Sequence, residues 1–104
     1  MEFQTAFQEM LQATTSHDSD QTAATACSKA GISPTADYYD KALRNVKQAL
    51  NDHTTESVSF WKDYQLSLCV QLHRLEQDTD DKRQEKKLLR DSIRTVQAIL
   101  YALT

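Results

Sequence analysis

The chain has 104 residues, of which 12 are Lys or Arg and 15 are Asp or Glu, giving a net charge of −3. This balance excludes both the basic excess typical of a nucleic-acid-binding domain and the extreme acidity of a DNA mimic. A single glycine, Gly31, and a single proline, Pro34, are too few for the tight turns that join β-strands. We therefore predict one all-α domain spanning residues 1–104.

The first predicted helix runs from about Phe3 to Thr14. Its apolar residues recur at helical spacing and form one stripe, consisting of Phe3, Phe7, Met10 and Leu11. The N-terminus lacks the basic region and the contiguous apolar segment of a signal peptide, and no apolar stretch is long enough to cross a bilayer. We therefore expect no contact with a membrane.

A second, shorter helix is predicted from a face of small residues. Ala23, Ala26, Cys27 and Ala30 share this face, and Gly31 follows at the position of a C-terminal cap. Such small side chains bury little area, so the helix needs a tightly packed neighbour to be stable.

The third predicted helix begins at Ser33 and Pro34, because serine is a good N-cap and proline fits the first helical position. Its apolar stripe consists of Tyr39, Leu43, Val46 and Leu50, with Ala42 and Ala49 beside it. The polar segment 51–55 ends this helix and caps the next.

The fourth predicted helix carries a seam with alternating spacings of three and four, which is typical of bundle packing. The seam consists of Val58, Trp61, Gln65, Leu68, Leu72 and Leu75, and Tyr64 and Cys69 are expected to widen it. Residues 78–81 predict a turn because short polar side chains compete with helical hydrogen bonding, although one continuous helix through this point is an alternative.

The last predicted helix has a seam of Leu89, Ile93, Val96, Leu100 and Leu103, flanked by Leu88 and Ile99. Together the segments predict an antiparallel helical bundle of three long helices plus a short N-terminal helical pair.

Few residues suggest chemistry. Cys69, His73 and Glu76 lie on one side of the fourth helix, but a structural zinc site needs a fourth ligand, which the sequence does not supply. We predict no metal, no cofactor and no catalytic site, so the protein is expected not to be an enzyme. Cys27 and Cys69 are expected to be free thiols, which places the protein in the reducing cytoplasm.

Basic residues follow one side of the last helix, nearly opposite its apolar seam. We call this set the basic ridge: Arg83, Lys87, Arg90 and Arg94. It is typical of a solvated helix face, and it is also the part of the chain that could grip the phosphates of a nucleic acid.

The fourth helix has a second apolar face, because Leu66 and Val70 lie away from its seam. Either this helix is central in the bundle and the N-terminal elements bury the second face, or that face meets another chain. Phe60 and Tyr38 also lie off their own seams, so we predict a partner-binding surface of Leu66, Val70, Phe60 and Tyr38.

The predicted function is that of a non-enzymatic protein–protein interaction module. An adaptor, an assembly subunit or an inhibitor or immunity protein would fit, with self-association as a further possibility. The alternative is a nucleic-acid or nucleoprotein binder that uses the basic ridge.

Overall fold

The computed structural model describes residues 20–78 and 80–104. Within these ranges 76% of the residues are helical and no strand occurs, which confirms the all-α prediction. The helices are α1 (20–29), α2 (Tyr39–Asn51), α3 (Ser57–Glu76) and α4 (Arg83–Leu103). The first predicted helix, Phe3 to Thr14, lies outside the described residues. No helix in the described ranges is both long and apolar enough to span a membrane.

Helix α1 has its C-terminal cap where the sequence predicts, at Gly31. This glycine has a φ of 81°, and its N–H donates to the carbonyl of Ser28 over 3.0 Å. The next N–H, that of Ile32, donates to the carbonyl of Cys27 over 2.9 Å. These two bonds define a Schellman cap, which needs a left-handed residue at its turning point. Cys27 and Ile32 are buried, so the cap also fixes α1 to the core.

Helix α2 begins at Tyr39, five residues later than the predicted start at Pro34. The hydroxyl of Ser33 accepts the N–H of Thr35 over 3.2 Å, so this serine caps a turn rather than a helix. The following Asp37 pairs with Lys87 of α4 over 3.2 Å. The N–H of Ala36 donates to the carbonyl of Ser33, and the N–H of Tyr39 to the carbonyl of Ala36, so the chain makes successive turns before the helix starts.

Helices α3 and α4 form an antiparallel hairpin. Gln65 pairs with Gln97 near one end, and Arg90 lies 3.7 Å from Glu76 near the other. Helix α3 ends at Glu76, which confirms the predicted turn and excludes the continuous helix. The interface is closed by a buried cluster of Leu68, Val96 and Leu100.

Among the described helices, α4 is the central one. The alternative that placed α3 at the centre depends on the N-terminal elements, and the first of these lies outside the described residues. Helix α4 packs against α3 on one side and α2 on another, whereas no Cα atom of α2 lies within 8 Å of α3. The predicted mutual packing of three long helices is therefore not seen among the described helices. A second buried cluster joins α1, α2 and α4 through mostly small side chains: Ala23, Ala26, Cys27, Ile32, Ala42, Val46, Ala49, Ala98 and Ile99.

The predicted seams are correct in part. Val46, Leu68, Val96 and Leu100 are buried as expected. Ile99, predicted only to flank its seam, is one of the most buried side chains, whereas Tyr64 and Cys69 are exposed and do not widen the seam of α3.

Candidate protein-binding groove

A groove of about 530 Å³ runs along α4 between α2 and α3. It exists because both outer helices pack on α4 without packing along each other. Helix α4 supplies the floor, chiefly through Leu88, Ser92, Thr95 and Ile99. The floor thus reaches from an exposed Leu88 to a fully buried Ile99.

One wall of the groove is aromatic and belongs to the first turns of α3. The rings of Phe60 and Trp61 meet edge to face at 5.1 Å, and those of Trp61 and Tyr64 at 5.9 Å. Phe60 and Tyr64 lie parallel, with centroids 6.4 Å apart. Phe60 is 59% exposed and Tyr64 45%, although aromatic rings gain most when buried. The wall therefore offers rigid apolar area to a second molecule.

The opposite wall belongs to α2 and has a polar rim above two alanines, Ala42 and Ala49. The rim consists of Lys41, Asn45, Gln48 and Asp52. Asp52 accepts a hydrogen bond from the Gln48 amide over 2.7 Å. Within residues 20–78 and 80–104, neither Lys41 nor Asp52 forms an ion pair.

Tyr38 closes the groove at the end where α2 begins. Lys87 Nζ lies 5.9 Å from the centre of its ring, and the buried Tyr38 hydroxyl makes no hydrogen bond within the described part of the chain. Lys87 donates to Asp91 over 2.8 Å and also pairs with Asp37. Hydrogen bonds to Asp91 and then Asp37 raise the pKa of Lys87. Asp91, which lines the groove, is therefore paired with a lysine that it shares with Asp37.

The predicted partner-binding residues fall on two separate surfaces. Phe60 and Tyr38 line the groove, whereas Leu66 and Val70 lie on the other side of α3. We call these two the outer pair. Leu66 is 65% exposed and Val70 42% exposed, so no described element buries them as the central-helix alternative required.

None of the four basic-ridge residues lines the groove, although Lys87 contacts Asp91, which does. Most of the ridge's charges have acidic partners. Arg83 lies 3.3 Å from Asp81, Arg90 contacts Glu76, and Lys87 contacts two aspartates. Arg94 is exposed and forms no ion pair with any residue that the structure describes. The ridge is therefore a mixed-charge surface rather than a continuous cationic one.

Residues 20–78 and 80–104 contain no group of three His, Cys, Asp or Glu side chains placed to hold a metal ion. His73 instead contacts the Gln77 amide at 3.1 Å. Both thiols are free: Cys69 is exposed, and burial raises the pKa of the Cys27 thiol.

No protein-family model, curated protein or solved structure matches the chain. The groove is thus defined by its geometry alone. Sequence analysis missed Trp61 and Tyr64 as groove residues because both fit the spacing of the seam. The available signal was the local density of aromatic residues, three within the five positions 60–64.

Proposed function

We propose that the protein is a protein-binding module whose groove receives the apolar face of a helix from a partner protein. The observation that supports this most directly is the exposed aromatic wall of Phe60 and Tyr64 beside Leu88 of α4, which no described element covers. Trp and Tyr side chains in such positions supply much of the binding energy of protein interfaces, and helices commonly dock in grooves between two other helices.

The dimensions of the groove fit a short helix. From Lys41 to Asp52, the α2 wall spans eleven residue steps, or about 17 Å at 1.5 Å per residue, which is about three helical turns. A helix in this position would lie on α4 between α2 and α3, and would form a four-helix bundle with them. The sequence predicts an antiparallel bundle made by the chain's own helices, three long ones plus a short N-terminal pair, and in this proposal the partner helix takes the place that remains beside the three long helices.

Trp61 is the only tryptophan of the chain and lies in the wall, so it can report occupancy directly. We would titrate the protein with a crosslinked, tryptophan-free amphipathic helical peptide of three turns and follow Trp61 fluorescence. A saturable blue shift is expected because the peptide would exclude water from the indole.

The variant that tests the wall is Phe60→Ser with Tyr64→Ser, and it should bind the peptide at least about tenfold more weakly. Its matched control is Leu66→Ser with Val70→Ser, which removes the outer pair from the same helix and should leave affinity unchanged. If the control loses binding and the wall variant keeps it, the outer pair is the binding surface and the groove proposal is wrong.

The alternative function, nucleic-acid binding by the basic ridge, has weaker support because three of the four cations contact carboxylates. Its test is the salt dependence of binding to a DNA duplex, since phosphate contacts weaken steeply with ionic strength. Binding, rather than catalysis, is the activity we propose, and the two free thiols favour a cytoplasmic location.

A further inference from the structure

We infer that the helix received by the groove is charged in opposite senses at its two ends, with a carboxylate beside Lys41 and a cation beside Asp52. This inference rests on the proposed function and adds the chemistry of the partner. Its basis is the distribution of uncompensated charge along the groove.

Three charged side chains line the groove: Lys41, Asp52 and Asp91. Asp91 is paired with Lys87 at 2.8 Å, a lysine that also contacts Asp37, so the inference is based on the two lining charges that have no ionic partner among the described residues. Lys41 lies in the first turn of α2 and forms no ion pair among the described residues. Asp52 directly follows the last residue of α2, and the bond it accepts from Gln48 comes from a neutral amide. The two lining charges without an ionic partner among the described residues are thus a cation near the start of α2 and a carboxylate directly after its end.

The positions of Lys41 and Asp52 lie about 17 Å apart along the helix axis, which exceeds the screening length of about 8 Å at physiological salt. Lys41 and Asp52 therefore each interact with the nearest charged residue of the partner helix rather than with the partner's overall charge. A helix of three turns places its first and last turns beside the two charges. Ion pairs at the rim of the groove favour a partner helix whose end charges are opposite to those of Lys41 and Asp52. Like charges at the same positions weaken the binding of other helices.

The test uses three crosslinked, tryptophan-free peptides with one apolar stripe and different end residues. One has Glu in the first turn and Lys in the last, one has Lys at both ends, and one has Glu at both ends. Crosslinking holds each peptide helical, so differences in intrinsic helicity do not enter. Trp61 fluorescence of the full chain at physiological salt should show the mixed peptide binding about two- to fivefold more tightly than either other peptide.

Lys41→Glu makes both ends of the groove acidic, and the peptide with two lysines should then bind most tightly. Arg44→Glu is the matched control, because Arg44 lies on α2 outside the groove lining, and it should leave the original order unchanged. Equal binding of all three peptides, or the same order in Lys41→Glu, would overturn the inference while leaving the proposed function intact. If no peptide binds, the proposed function also fails.

Two other occupants give distinct results. If peptides bind only after Phe3→Ser with Phe7→Ser, the N-terminal segment of the chain occupies the groove and the inference is wrong. If sizing shows a dimer that the mixed peptide dissociates, a second copy occupies it, and the inference is again overturned.

Discussion

Gln65 of α3 donates from its side-chain amide to the side-chain oxygen of Gln97 of α4 over 2.7 Å, at a partly buried position. The bond links two polar residues in an interface whose buried cluster is apolar. A partly buried amide loses free energy when its partner is removed, because water cannot fully replace the lost bond. The pair therefore aligns α3 with α4.

We expect Gln97→Ala to lower the free energy of unfolding by about 1 kcal/mol. Gln65→Leu with Gln97→Leu should recover most of this loss, because both polar groups are then replaced by apolar ones. Urea unfolding of Gln65→Leu, Gln97→Leu and the variant with both substitutions, combined in a double-mutant cycle, measures the coupling. Strictly additive effects would show that the bond does not form in solution.

Lys87 should support the docking of the segment before α2 in a pH-dependent way. Its pKa is raised above the ordinary value of 10.5 by Asp91 and Asp37. A raised lysine pKa means that the stabilisation is fully present below pH 10.5 and is lost as pH rises through the folded-state pKa. Thermal unfolding should show Lys87→Met less stable than wild type at pH 7, with the gap closing above pH 10.5. Lys62→Met, at an exposed position, serves as the control and should match wild type throughout.

The two thiols should differ sharply in reactivity. Cys69 is exposed, whereas Cys27 is buried and the pKa of its thiol is raised, so little of its reactive thiolate forms. A thiol reagent at neutral pH should label one site in the native protein and two in denaturant. In Cys69→Ser, native labelling should disappear. Rapid labelling of that variant would mean that α1 opens readily.

Truncation of Ile99 should be among the most damaging core substitutions. Ile99 is 1% exposed and packs where α1, α2 and α4 meet, so Ile99→Ala should cost about 2 to 5 kcal/mol. Leu72→Ala, at a half-buried seam position, should cost less, and Leu66→Ala should change stability by no more than about 0.5 kcal/mol. Denaturant unfolding gives the order, and a larger loss for Leu72→Ala would contradict the assigned core.

The helices could be predicted because their signals are local. Apolar spacing located α3 and α4, and the one glycine located the end of α1. The central position of α4 could not be predicted, because part of its contact with α1 and α2 is made by Ala98, and alanine contributes little to an apolar pattern. Helix α3 carries apolar residues on two opposite sides, which suggested a central helix although one side is exposed.

The groove could not be predicted from the sequence, because it is formed by the space between α2 and α3. Phe60 and Tyr38 were identified as lying off their seams, and both line the groove. Their relation to each other depends on α4, which brings together two helices that do not pack along one another. The spacing of apolar residues within α2 or within α3 therefore cannot predict the groove.

The position of α4 also predicts the order in which the helices pack during folding. Its contact with α3 closes across the short segment 77–82, whereas its contact with Asp37 joins residues 50 positions apart. Short loops cost less entropy to close, so the α3–α4 hairpin should form first and α2 should dock later. A helix bound in the groove would hold α2 and the hairpin together. The bound helix should therefore slow amide hydrogen exchange in α2 far more than in the C-terminal half of α3, which does not line the groove.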